Sequence, residues 1–202
     1  TATATVQAGV TIADLHRAAH DHGLAYGVDL ASRDSATVGG TIATNAGGVH
    51  VCAYGTTRQQ VLGLEAVLAD GSVVTDLRGL PKDNTGYSLR DLFVGSEGTL
   101  AVVTAARVQL HPLPARRLVL AMPAASLGEC VAVGRQVAGR FRLLACEAVD
   151  TPSWQAAADD LSLRDPLPTA AGAYVCLVEM DLAATSVEAA LAVLGDAVEL
   201  PD

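Results

Sequence analysis

The chain has 202 residues, with 13 Lys+Arg against 22 Asp+Glu and a formal net charge of −9 with histidine neutral. That balance argues against a nucleic-acid partner or an anionic membrane surface, both of which recruit basic patches. Half of the residues are apolar but only 3 % are aromatic, so Ala, Val and Leu supply a core large enough to exclude disorder.

The sequence opens without an initiator Met, directly in the alternating pattern Ala4-Thr5-Val6-Gln7-Ala8-Gly9 of a strand, and reads as an internal piece of a longer protein. Thr11 with Asp14 three residues on is a capping-box variant, Ile12, Leu15 and Ala19 repeat at helical spacing, and Gly23 is placed to end that helix. From Asp34 to Gly55 the chain is rich in Gly, Thr, Ser and Ala without a sustained period, which predicts short helical turns and loops. Residues 61–69 and 72–75 flank Asp70-Gly71, predicting a hairpin whose Asp-Gly pair supplies both positive φ angles of a type I′ turn. A short helix over 88–93 precedes a long strand over 100–110, which His111-Pro112-Leu113-Pro114 breaks, marking a crossing between a domain over 1–112 and another over 113–202. Beyond it the order is strand 118–122, helix 127–139, strand 143–149, a helix from Pro152, strand 174–180 and helix 187–194. This is an α+β pattern in which strands 118–122 and 143–149 share one sheet.

Residues 1–112 hold 7 basic and 10 acidic side chains and residues 113–202 hold 6 and 12, so the second part offers no broad attraction for anions. Cys52, Cys130, Cys146 and Cys176 form no CxxC pair, which excludes a zinc knuckle or redox dithiol pattern and points to reduced thiols of a cytoplasmic protein. No run reaches the roughly 18 apolar residues of a transmembrane segment, and no basic leader opens the chain. Lys82 is the only lysine, and the Arg-for-Lys, Ala-rich usage fits a GC-rich bacterial genome.

The segment Ser35-Ala36-Thr37-Val38-Gly39-Gly40-Thr41-Ile42-Ala43-Thr44-Asn45-Ala46-Gly47-Gly48 carries the chemistry. Two glycine pairs bracket small residues, so main chain can approach a ligand and present N–H donors to a phosphate or a flat ring. It matches neither GxGxxG nor GxxxxGK[ST]; a tight turn packed on a neighbour explains the glycines equally well.

A second cluster, Lys82-Asp83-Asn84-Thr85-Gly86-Tyr87 and Asp91-Leu92-Phe93-Val94-Gly95-Ser96-Glu97-Gly98-Thr99-Leu100, joins Tyr54-Gly55-Thr56-Thr57-Arg58 and Val61-Leu62-Gly63-Leu64-Glu65 in fixed order. Together these segments resemble the FAD-dependent D-2-hydroxy-acid dehydrogenases of the vanillyl-alcohol-oxidase-like superfamily, whose members act on D-lactate, glycolate or D-2-hydroxyglutarate. The resemblance runs from about Val6 to Pro112 and touches 143–150 and 174–179. It implies the second subdomain of an FAD-binding domain followed by the start of a ferredoxin-like α+β substrate cap. It also implies that Ser35, Thr37, Val38, Gly39, Gly40, Asn45, Gly47, Gly48, Glu97, Val102 and Val103 bind FAD. The Thr-Val-Gly-Gly and Asn-Ala-Gly-Gly stretches would lie along the pyrophosphate and ribityl chain, and residues 101–104 on the adenine side. Ala101 stands where relatives usually carry Gly, and Thr41 where Asn is frequent.

By the same resemblance the first FAD subdomain precedes Thr1, and a His-rich metal site and a substrate arginine follow Asp202, so no catalytic residue is assigned within the chain. The intact protein is expected to oxidise a small 2-hydroxy acid and to use an electron acceptor other than O₂. The isolated chain is expected to hold flavin weakly or not at all, to be inactive, and to self-associate. A non-catalytic assembly subunit that keeps the fold without the cofactor is the alternative. His16 and His20 at i, i+4 with His22 nearby read as a solvated helix face, because no acid or cysteine completes a metal set. Ser96 lacks a nucleophile elbow. Glu97 suits a base, a flavin partner or a cap on nearby N–H groups, and Arg116 and Arg117 read as a solvated linker.

Overall fold

The computed structural model describes residues 2–80, 84, 86–160, 167, 172–182, 187–195 and 197–200. It divides into two units, Thr1–Leu113 and Pro114–Asp202.

In the first unit, Thr3–Gln7 forms β1, and Thr11 caps helix α1, Ile12–His20, its hydroxyl accepting from the Asp14 amide at 3.1 Å. The Asp14 carboxylate turns to Arg17 at 2.8 Å instead of back to the cap, so the box is half made. The apolar face of α1 buries Ile12, Leu15 and Ala19. Strand β2, Leu24–Tyr26, follows, then three short helices: α2, Val38–Thr44; α3, Val51–Tyr54; and α4, Thr57–Gln60. Strands β3, Val61–Leu68, and β4, Val73–Asp76, make the predicted hairpin; helix α5, Leu89–Phe93, leads into β5, Ala101–Pro112. The strands pair antiparallel in the order β1-β5-β3-β4, and β2 pairs with the far end of β5. Ile12, Val38, Ile42, Val61, Ala106 and Val108 are fully or nearly fully buried together, so α1 and α2 share one core with β3 and β5.

Two local expectations change. The hairpin turn has a positive φ at Gly71 but not at Asp70; the Gly71 amide donates to Leu68 O at 3.0 Å and the Leu68 amide to Ser72 O at 2.9 Å. This is a three-residue loop with a glycine bulge rather than type I′. The Asp70 carboxylate accepts from the Ser72 amide and hydroxyl at 2.9 and 2.6 Å, which fixes that geometry. Strand β5 also continues through His111 and Pro112, because β2 extends the sheet there with Ala25 opposite His111 and Leu24 opposite Pro112. A proline is tolerated at a strand end, where no further ladder bond is required of its nitrogen.

The second unit runs β6 (Arg117–Ala124), α6 (Leu127–Ala138), β7 (Arg142–Asp150), α7 (Thr151–Asp160), β8 (Tyr174–Asp181), α8 (Val187–Leu194) and β9 (Val198–Leu200). The sheet order β7-β8-β6-β9, all antiparallel, is the ferredoxin-like arrangement with α7 inserted in the connection from β7 to β8. Strands β6 and β7 lie in one sheet, separated by β8. Alternation along β6 sends Leu118, Leu120 and Met122 to a core shared with Cys130 and Val137 of α6 and Ala190 of α8, while Ala121 meets Val175 and Trp154 of α7 on the other face.

That core holds a group of thiols. The sulfurs of Cys146 and Cys176 lie 4.0 and 3.9 Å from the carbonyl oxygen of Cys130. Burial first, and then the neighbouring thiols, push Cys176 far above the ordinary 9.0. Because the folded state keeps a proton that the unfolded chain releases above pH 9, stability is full below that value and falls as pH rises. Denaturation followed through Trp154, the single tryptophan, should therefore show a midpoint that drops between about pH 8 and pH 10. Cys176→Ala should flatten that slope; an equal slope in the variant would place the titration elsewhere.

Candidate functional site

A shallow groove of about 390 Å³ opens on the first unit, with walls from three places. Ala8 and Gly9 follow β1; Thr37, Gly39 and Gly40 come from the start of α2 and Ala43 from its last turn; Ser96 and Gly98 lie on the loop after α5, beside Val102 and Val103 of β5.

The start of α2 is built from its own small residues. Thr37 is its N-cap, accepting from the Gly40 amide at 3.1 Å. The Gly39 amide donates to Ala8 O at 2.9 Å, and a Cβ on Gly39 would lie 2.7 Å from the Cβ of Ala8. Glycine is thus what lets the helix start abut the end of β1. The amides of Gly39 and Gly40 are already engaged in the fold. Those of Gly9 and Gly98 have no acceptor among the described residues and are exposed. A Cβ at either would meet no atom within 4 Å, so packing does not require glycine at these two positions.

Of the residues singled out from sequence, the groove gathers Thr37, Gly39, Gly40, Val102 and Val103. Val38 is fully buried in the core, and Ser35 is exposed with its hydroxyl donating to Ser32 O at 3.2 Å. Asn45 ends α2 in the left-handed region (φ 50°), its side-chain oxygen accepting from the Arg58 amide at 3.0 Å. A Cβ added at Gly47 would meet Val51 at 3.6 Å, and Gly48 (φ 81°) lies so close to Asp29 that an added Cβ would sit 2.1 Å from its carbonyl oxygen. Glu97 is exposed and left-handed (φ 52°); its amide, not its carboxylate, makes the local contact, donating to Ala43 O at 2.9 Å. Ala101 is buried in the core and pairs with Leu68. Gly9, Ala43, Ser96 and Gly98 line the groove too but were not among the residues assigned to FAD from the resemblance. The signal for Gly98 was its place in Gly-Ser-Glu-Gly, where two glycines take positive φ.

The histidines do not converge. His16 Nε2 lies 2.9 Å from Val28 O and 4.0 Å from Asp29, whereas His22 bonds the carbonyl of Ala18 at 2.9 Å. Arg117 pairs with Glu179 at 2.8 Å. A larger cavity of about 490 Å³ lies beside β3 and β4 and is lined by parts of the 61–65 and 82–91 segments, yet it holds none of the residues that the resemblance assigns to FAD. Its charges are matched across short distances: Arg78 grips Asp76 at 2.8 Å and holds that carboxyl at about 2.

Residues 1–76 match the model of a family described as FAD binding domain. The chain is 46 % identical over 123 residues to a D-2-hydroxyglutarate dehydrogenase of Xanthomonas citri pv. viticola, covering 60 % of this chain and 26 % of that protein. It is 45 % identical over 143 residues to a D-lactate dehydrogenase of Archaeoglobus fulgidus, covering 71 % and 32 %. It is 41 % identical over 180 residues to the glycolate oxidase subunit GlcD of Bacillus subtilis, covering 89 % and 38 %. The chain thus spans between about a quarter and two-fifths of these relatives. Among solved structures, alkyldihydroxyacetonephosphate synthase superposes with a TM-score of 0.66 at 20 % identity over 88 % of this chain and 34 % of that one, a likeness of fold. No helix among the described residues is long and apolar enough to cross a membrane.

Proposed function

We propose that this chain is the cofactor-holding part of a cytoplasmic, FAD-dependent dehydrogenase that oxidises a D-2-hydroxy acid of the D-lactate, glycolate or D-2-hydroxyglutarate class and passes electrons to an acceptor other than O₂. The observation that carries the reading is the groove of small residues between α2, β5 and the loop after α5, within and beside the FAD-binding-domain segment. Bound FAD would supply the redox chemistry, taking a hydride from the substrate α-carbon at flavin N5, while protein groups orient and bind.

The residues suit that cofactor. The bare amides of Gly9 and Gly98 are donors for phosphate oxygens without a lysine. Thr37, Gly39 and Gly40 keep that wall low, and Val102, 65 % exposed on β5, offers an apolar edge to a ring. None of the described side chains lining the groove is titratable, so this chain's part in the reaction is binding rather than proton transfer.

The purified full protein should show flavin absorption bands and reduce a dye with at least one of D-lactate, glycolate and D-2-hydroxyglutarate. Bound flavin with no turnover of any of the three would reject the dehydrogenase reading. A colourless, stable protein would favour the assembly subunit.

A further inference from the structure

Arg58 stands in the Tyr-Gly-Thr-Thr-Arg segment that the groove itself does not use. Among the described residues its guanidinium has one carboxylate partner, Asp91, at the long distance of 3.9 Å. At shorter range Nη1 donates to Asp91 O and Nη2 to Val94 O, each at 2.5 Å, across the C-terminal end of α5. A planar fork with fixed donors meets two main-chain carbonyls at once, which a lysine ammonium cannot do in the same geometry.

The backbone of Arg58 is held from the other side. Its amide donates to the side chain of Asn45, the residue that ends α2, and the neighbouring Thr57 donates through its amide and hydroxyl to Ala46 O at 2.8 and 2.7 Å. The last carbonyls of α2 are in turn met by the loop that Arg58 grips: the Gly95 amide donates to Ile42 O and the Glu97 amide to Ala43 O, both at 2.9 Å. Gly95 is wedged between the two partners, since an added Cβ would lie 3.3 Å from Arg58 Nη2 and 3.4 Å from Asn45 Cβ. Two walls of the groove, Gly39 to Ala43 on α2 and Ser96 to Gly98 on the loop, are therefore tied directly by two main-chain bonds and bridged by one guanidinium and one amide side chain.

We propose that Arg58, seated on Asn45, is a positioning residue that locks the 94–98 loop onto the end of α2 and so fixes the spacing of the groove walls for the flavin cofactor. This rests on the FAD reading above. The guanidinium touches no cofactor; it acts through the loop, and its loss should cost pre-organisation rather than a contact.

The test compares wild type, R58A, R58K and L15A in the full protein, with Leu15 buried in α1 as a control that lowers stability elsewhere in the same core. FAD is titrated into each apoprotein by flavin fluorescence, and hydrogen exchange is followed at the amides of Gly95 and Glu97. Expected are at least ~10-fold weaker FAD binding and at least ~10-fold faster exchange at both amides in R58A. R58K should fall between R58A and wild type, and L15A should bind FAD like wild type despite a lower Tm. R58A binding FAD as tightly as wild type, or L15A losing as much affinity at an equal loss of Tm, would overturn the proposal. Unaltered exchange at Gly95 and Glu97 in R58A would remove the latch whatever the cofactor. Wild type that binds no FAD, with exchange still accelerated in R58A, would instead overturn the cofactor reading and leave Arg58 as a cap of α5 only.

Discussion

Gly48→Ala is expected to destabilise the first unit by roughly 2–5 kcal/mol, while Gly47→Ala changes it by less than about 1 kcal/mol. The two glycines are adjacent in sequence and look alike in it. At Gly48 the backbone is left-handed (φ 81°), and a Cβ would stand 2.1 Å from the Asp29 carbonyl oxygen and 2.9 Å from its carbon. Relief requires residues 29 and 48 to separate. That breaks the Val49 amide to Asp29 O bond at 3.0 Å and disturbs a corner where Asp29 also holds Arg33 at 3.1 Å. At Gly47 an added methyl meets Val51 at 3.6 Å, an ordinary contact. Thermal or urea unfolding of the apoprotein reads the difference with no flavin present. Equal midpoints for Gly48→Ala and wild type would mean that the close approach to Asp29 does not exist.

This contrast marks the limit of reading a cofactor site from a glycine pattern. Gly39 and Gly40, expected to present bare backbone, line the groove beside Thr37. Their amides, however, are consumed by Ala8 O and the Thr37 hydroxyl in starting α2. A sequence shows that a Cβ is missing but not what stands opposite it. At Gly39 a β-strand end stands there, at Gly48 a carbonyl, and at Gly98 open space.

The fold was legible where local signals decide. The Thr11 cap, the Asp-Gly hairpin and the strand and helix order of the second unit follow from capping, turn chemistry and periodicity. Strands β2 and β9 were not legible, since each has three residues and exists by pairing with a distant partner, Leu24 with Pro112 and Val198 with Ala121. The Asp70 turn type was missed because an Asp side chain that bonds Ser72 changes the loop in a way the dipeptide does not announce. Likewise, the left-handed backbone at Glu97 is set by a tertiary bond to Ala43, and nothing in Gly-Ser-Glu-Gly requires it.

Gly98→Ala should separate a binding glycine from a folding one. At φ 77° alanine is strained, by about 1 kcal/mol, but its methyl meets no atom within 4 Å, so the apoprotein should lose only that much stability. The cost to binding is larger. An added methyl crowds ligand approach to the adjacent Gly98 amide, and if the strain is relieved by turning the peptide, the amide changes direction. Either way a donor to a phosphate oxygen is lost or shielded, and a charge-assisted hydrogen bond of that kind is worth roughly 1.5–3 kcal/mol. FAD affinity of the full protein should therefore fall about 10- to 100-fold, with a shift in Tm of only a few degrees. The measurement is a flavin titration paired with apoprotein melting for Gly98→Ala and Gly48→Ala side by side. The first variant should lose affinity with its fold nearly intact, and the second should lose its fold first. Wild-type affinity in Gly98→Ala would show that the cofactor does not use this amide, and the phosphate donors would have to be sought elsewhere along the groove.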